Sequence, residues 1–173
     1  MTSQALLVAG PLVLDDIGED HALLGGGGGY AVIAASAFVK TQLWARGGKD
    51  ISPQVRGILE RRGIDMAGVS WDGATPRWTT SGFTAGGPLL SDVEPTSAEN
   101  LGGVLLIDLP PAEGKRAIAA IAKLHGAATR PVVVAPRPAD CQTDHYLEAC
   151  AAAADVLILP GAAAAAAEGA GLA

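Results

Sequence analysis

Asp15 and Asp16 close the apolar run Leu12–Leu14, and soon afterwards come five consecutive glycines, Gly25 to Gly29, followed directly by Tyr30. A carboxylate at the C-terminal edge of a strand can accept hydrogen bonds from two hydroxyls of one ligand, and that edge is where parallel sheets bind small molecules. Glycines ahead of a helix bring backbone amides close to polar or anionic groups. The run is not a nucleotide phosphate loop, because no Gly-Lys-Ser/Thr follows it, and it lacks the GxGxxG context of a dinucleotide site. Asp15, Gly25, Gly26 and Tyr30 are therefore candidate ligand-binding residues. The competing readings are a solvated turn for Asp15 with Asp16 as its twin, and glycines needed only for close packing or a flexible loop.

A second group is Trp71, Arg77 and Trp78, set among Thr75, Thr79, Thr80 and Ser81. Trp and Arg bury large areas with defined geometry and are favoured as anchors in interfaces. The group reads either as a lid, with Arg77 reaching the ligand and Trp71 and Trp78 at an interface, or as ordinary packing of a small sheet. The remaining candidates are weak. His21, His125 and His145 form no HxH or HExxH spacing, and Cys141 and Cys150 form no CxxC, so no metal site is expected. The two cysteines read as reduced small hydrophobes. Lys115-Arg116 reads as a solvated helix face.

The elements that must position these residues follow from periodicity. Ala5–Ala9 and Gln42–Ala45 read as buried strands ended by Gly10-Pro11 and Gly47-Gly48. Tyr30–Val39 is alanine-rich without a breaker and predicts a buried helix opening from the glycine run. Ser52–Arg62 predicts an amphipathic helix, with Ser52 at the N-cap, Pro53 in the first helical position and Gly63 beyond the end. Val69–Phe83 reads as a small antiparallel excursion turning at Asp72-Gly73, and Gly86–Asn100 as a polar loop. Strands at Val104–Ile107, Val132–Val134 and Val156–Leu159 then alternate with helices at Glu113–His125 and Asp144–Ala152. That alternation implies βαβ units and a parallel sheet, hence an α/β fold. Ala162–Ala167 reads as a frayed alanine-rich end.

Composition bounds the rest. The 173 residues include 23 glycines and 11 prolines, and 49% are hydrophobic against 17% charged, which excludes a disordered acidic tail. The length fits one domain over 1–173. A net charge of −6 argues against a nucleic-acid partner. Ala149–Ala167, the most apolar stretch, is broken by Asp155, Pro160 and Gly161 and predicts no membrane span. Met1–Gln4 holds no Lys or Arg and does not read as a signal peptide, so a cytoplasmic location is expected.

Taken in order, these stretches resemble the N-terminal, substrate-side part of the ribokinase-like (PfkB) family of sugar and nucleoside kinases. VAGPLVLDD (Val8–Asp16) is similar to the family's first strand, and its substrate-binding aspartate falls on Asp15. GGGGGYAVIAASAF (Gly25–Phe38) resembles the GG signature and the helix after it. LWARGGKD and ERRGIDMAGV, within Gln42–Val69, resemble the following strand, Gly-x-Asp turn and helix end. DGATPRW (Asp72–Trp78) is like a lid segment, and ADVLILP (Ala154–Pro160) lies where the family has a strand before an N-x-x-E motif. The resemblance implies a Rossmann-like, mostly parallel sheet with flanking helices, cut short, and a small antiparallel β lid from about 10–22 and 69–90.

The departures from the family pattern define the functional expectation. Aligned on Pro160, Gly161 stands in place of the Asn and Ala164 in place of the Glu of N-x-x-E, and Ala135 stands where the preceding strand usually ends in an aspartate. The GAGD-type motif that supplies the base and anion hole is missing. No catalytic residue is assigned, and no cofactor is expected for the chain alone; ATP and Mg would come only through a partner chain carrying the nucleotide half. The expectation is a degenerate, non-catalytic binding or interaction subunit with a sugar or nucleoside ligand. The alternative is one half of a split kinase that phosphorylates a sugar or nucleoside hydroxyl. Either would form a homo- or hetero-oligomer through the lid or an exposed sheet edge.

Overall fold

The computed structural model describes residues 4–79, 82–84, 86–95, 101–124, 130–142, 145–161 and 163–164. Thr80, Ser81, Asn100, His125, Asp144, Ala162 and Ala165 to Ala167, which entered the expectations above, lie outside them. The chain opens with strands β1 (Ala5–Ala9), β2 (Val13–Ile17) and β3 (Asp20–Gly25), then helix α1 (Gly27–Ala35) and strand β4 (Lys40–Gly47). Helix α2 (Pro53–Arg61) leads to β5 (Asp65–Trp71) and to a hairpin of β6 (Arg77–Thr79) and β7 (Gly82–Thr84). The remainder runs β8 (Leu101–Ile107), α3 (Pro111–Leu124), β9 (Val132–Ala135), α4 (Tyr146–Ala153) and β10 (Val156–Leu157).

Six strands form one sheet in the order β10-β9-β8-β1-β4-β5. Every pairing in it is parallel. From β1 the chain winds outward to β4 and β5, returns to β8 on the other side of β1, and winds outward again to β9 and β10. The order therefore reverses between β1 and β8, a point where the loops leaving the two strand ends diverge and leave a crevice. Successive side chains of β1 point to opposite faces. Val8 packs with Val32, Leu43 and Leu59 beneath α1 and α2. Leu7 and Ala9 pack with Trp44, Val104, Ile121 and Tyr146 beneath α3 and α4. The second sheet has the order β3-β2-β6-β7, with β2 antiparallel to β3 but parallel to β6. The expected α/β class and a separate small sheet are both present, the latter mixed where an antiparallel sheet was expected, because β2 and β6 run parallel.

Helix α2 forms as the sequence dictates. Ser52 has extended backbone and its hydroxyl accepts from the Val55 amide at 3.2 Å, Pro53 opens the helix, and Gly63 beyond it takes a φ of 67°. Helix α1 differs from expectation at both ends. It starts inside the glycine run, because Gly26 takes a φ of 81° that favours glycine and so becomes the N-cap. It stops at Ala35, where the Ser36 hydroxyl donates back to the Ile33 carbonyl at 2.7 Å, leaving Phe38 88% exposed in the turn that follows. The helix is also not buried all round, since Tyr30 is 56% exposed.

The Val69–Phe83 expectation needs a second correction. Trp71 ends β5 in the main parallel sheet, so the lid contribution begins only at β6, and Asp72-Gly73 is a link between sheets rather than a hairpin turn. Parallel pairing with β4 carries β5 on to Trp71, which lies opposite Gly47. The stretch after Gly86 is not simply polar and exposed. Leu89, Leu90 and Ser91 are buried and form a strap across the sheet.

These contacts rank two substitutions. Leu59→Ala, which empties a fully buried site beneath α2, is expected to cost about 3 kcal/mol. Ser52→Ala, which removes only the cap, is expected to cost about 1 kcal/mol. Urea unfolding checks the order, and a larger loss for Ser52→Ala contradicts this packing.

Candidate functional site

The crevice at the strand reversal is a cavity of about 820 Å³ between the C-terminal ends of the parallel strands and the lid sheet, within the size range of small-molecule sites. Its lid side comes from β2, where Val13, Asp15 and Ile17 alternate toward the cavity. Strand β6 lies beside β2 with Trp78 in register with Asp15, and β7 places Phe83 opposite Trp78. The two rings stand 6.4 Å apart and tilted. The body side comes from Gly26, Gly27 and Tyr30 at the start of α1, Asp108 just after β8, and Arg137 just after β9.

Close approach rather than side-chain chemistry explains the glycines. A Cβ at Gly25 would fall inside the Asp15 carboxylate, and one at Gly27 inside the Asp108 carboxylate. A Cβ at Gly28 would strike the carbonyl of Gly10, and one at Gly10 would lie 2.7 Å from the Ile107 carbonyl. The first turn of α1 can be wedged between β1, β2 and β8 only because it carries no side chains.

Asp15 is 9% exposed, and its Oδ2 accepts the Tyr30 hydroxyl at 2.7 Å. That bond to the carboxylate, followed by burial, pushes the Tyr30 phenol above its ordinary value. Asp108 has a φ of 55°, a left-handed conformation that aspartate tolerates better than most residues. Its side chain makes no hydrogen bond or ion pair among the described residues, and burial raises its carboxyl, with Arg137 partly offsetting the effect. Arg137 is itself engaged, its Nε donating to Asp140 at 2.5 Å.

Of the residues expected to bind ligand, Asp15, Gly26 and Tyr30 converge on the cavity, while Gly25 supports it from behind Asp15. Arg77 does not line it. In register with Leu14, it points to the other face of the lid sheet, where it bridges Asp16 at 3.5 Å and Asp50 at 3.4 Å. Asp50 also accepts the Thr75 hydroxyl at 2.6 Å and the Thr75 amide at 2.9 Å, so lid and body are latched together there. Trp71 packs against Gly47 and lies beneath the Arg56 guanidinium, 4.2 Å from the ring centre. Trp78 is 54% exposed at the cavity rim. Asp108, Arg137, Phe83 and Leu89 are cavity residues that the sequence reading did not single out. For Asp108 a signal existed, because it follows the apolar run Val104–Ile107 as Asp15 follows Leu12–Leu14.

Leu89 reaches the cavity because its strap is clamped. The Glu113 carboxylate accepts the Leu89 and Leu90 amides at 2.8 and 2.7 Å, and the Trp44 indole donates to the Ser91 carbonyl at 3.0 Å.

Ala135 and Ala164 offer only methyl groups and Gly161 no side chain, so none has an oxygen for a metal-bound water. Among the described residues no three His, Cys, Asp or Glu side chains are grouped to hold a metal ion. No described helix is long and apolar enough to cross a membrane.

The fold is shared with solved sugar and nucleoside kinases. A nucleoside kinase from Burkholderia thailandensis, solved with inosine, superposes with a TM-score of 0.66 at 10% identity, over 93% of this chain and 62% of that one. A ribokinase from Giardia lamblia gives 0.65 at 14% identity, over 98% and 60%. An adenosine kinase from Anopheles gambiae gives 0.62 at 13% identity, over 94% and 69%. The chain thus has the ribokinase-like fold and spans 60–69% of the length of these three structures. No protein-family profile matches it, and no curated protein does.

Two outcomes follow from the electrostatics. Asp15→Asn is expected to bring the Tyr30 phenol back toward its ordinary value, read from ring resonances by NMR, and an unmoved titration contradicts the Tyr30–Asp15 bond. At Asp50, burial pushes the carboxyl up, but donation from Thr75 and Arg77 outweighs it and holds the group below the usual 3.8. Its stabilisation is then complete above that value and lost as pH falls through the lower folded one. Asp50→Asn is expected to flatten the acid limb of stability against pH; an unchanged limb contradicts the latch.

Proposed function

On this ribokinase-like fold, we propose, the chain is a non-catalytic binding subunit whose cavity takes a sugar or nucleoside. The observation that carries the proposal is the side-by-side placement of Asp15 and Trp78 over the strand reversal. The Asp15 carboxylate accepts hydroxyl donors, and the adjacent Trp78 and Phe83 rings offer apolar faces for a sugar ring or a base. The inosine held by the Burkholderia nucleoside kinase, a protein of the same fold, supports this ligand class.

Phosphoryl transfer needs cations on the phosphoryl oxygens and an aligned, deprotonated hydroxyl. Ala135, Gly161 and Ala164 supply none of this, which supports the non-catalytic part. A second reading, completion by a partner chain, draws support from β10. It is one of the two edge strands of the main sheet, nothing among the described residues pairs with its outer edge, and Val156 within it and Ile158 just after it are exposed.

Calorimetry with ribose, adenosine and Mg-ATP tests the first reading. Saturable binding of ribose or adenosine is expected, weakened about tenfold or more by Asp15→Ala, which removes a charged hydrogen-bond partner. No phosphate should pass from ATP to either compound. Turnover by the purified chain contradicts the non-catalytic assignment, and absence of binding contradicts the ligand class. Light scattering tests the second reading: a stable monomer at all concentrations counts against assembly through β10.

A further inference from the structure

Charge in the cavity is unbalanced. Three ionisable acid or base groups line it, namely Asp15, Asp108 and Arg137, besides the Tyr30 phenol. Arg137 offsets part of the cost of burying Asp108, but its charge is shared with Asp140, which accepts from its Nε at 2.5 Å. Asp15 is nine-tenths buried, yet its only side-chain hydrogen-bond partner among the described residues is the neutral Tyr30 hydroxyl. Asp108 has no side-chain partner at all among the described residues, although part of its surface is buried. The lid-side arginines do not help, since Arg77 is committed to Asp16 and Asp50, and Arg46 to Asp72. Among the described residues, two cavity carboxylates therefore face a single guanidinium, Arg137, which Asp140 shares.

A buried carboxylate that gives up water recovers only part of the loss from neutral hydroxyl donors and more from a charged one. The lid wall, beside Asp15 and across the cavity from Asp108, carries Trp78 and Phe83, whose π faces attract cations. The net charge of −6 over the whole chain favours approach of a positive ligand and disfavours a phosphorylated one.

We propose that the ligand of this cavity carries a cationic amine beside its hydroxyls: an aminated sugar or nucleoside, in preference to its neutral or phosphorylated counterpart. The proposal rests on the sugar or nucleoside reading above and narrows it. The ammonium is held by Asp108 or Asp15, and the remaining hydroxyls by whichever carboxylate is left.

Matched pairs test it. Binding to the full chain is measured by calorimetry for glucose against glucosamine, and for adenosine against 5′-amino-5′-deoxyadenosine and adenosine monophosphate. In at least one pair the amine is expected to bind about tenfold more tightly at low salt, the difference a charge-assisted bond makes over a neutral one. The gap should narrow as salt rises, and the monophosphate should bind most weakly. Asp108→Asn or Asp15→Asn should pull the amine-to-neutral ratio toward one. Neutral compounds binding as well as their amines overturns the proposal and leaves the polyhydroxyl reading standing. If no compound binds, both fall. Should the variants not fold, the salt dependence decides: an amine preference unmoved by salt, or a preference for the monophosphate, overturns the charge argument.

Discussion

The site depends on how closely the first turn of α1 approaches three strands at once. Gly10 at the end of β1 meets Gly28, Gly27 lies against the Asp108 carboxylate, and Gly25 lies against Asp15. A methyl group at any of these positions would displace either backbone or a cavity carboxylate. The glycine run therefore shapes the cavity indirectly, by letting two carboxylates and the helix start share a space that side chains would otherwise fill. Its conformational entropy cost on folding is accepted in return for that geometry.

Around this wedge, the lid and the body are joined from both sides. On the back of the lid, Arg77 ties Asp16 to Asp50, and Thr75 locks Asp50 further. Exposed ion pairs of this kind contribute little stability singly, but here they fix the angle at which β2 and β6 present Asp15 and Trp78. On the body, Glu113 at the start of α3 gathers the amides of Leu89 and Leu90, so the strap's apolar residue forms part of the cavity wall. The alternation of β2 sorts these duties, with Asp15 facing the cavity and Asp16 facing the latch.

Much of this was legible in the sequence. The Ser52-Pro53 start and Gly63 stop of α2 are local signals, and the structure honours them. The βαβ alternation gave the parallel sheet; Asp15 is a cavity carboxylate, but it sits in the middle of β2 in the small sheet and not at the C-terminal edge of a strand, because the chain re-enters extended pairing after Pro11 and continues to Ile17. What was not legible depends on register and on contacts distant in the chain. The role of Arg77 turns on its pairing with Leu14, which places it on the far face of the lid; no spacing between neighbours reveals that. The buried strap needed Trp44 and Glu113, both remote from it in sequence. Helix α1 was misjudged because glycine has low helix propensity, and here tertiary packing overrides it at Gly27 to Gly29.

The central claim is that the crevice between β1, β8 and the lid is where this chain meets its ligand. Mapping amide and indole NMR shifts during titration with adenosine tests it most directly. The largest changes are expected on the Trp78 indole, Asp15, Asp108 and the amides of Gly26 to Tyr30. Changes concentrated along β10 and α4, with the Trp78 indole unmoved, would contradict it.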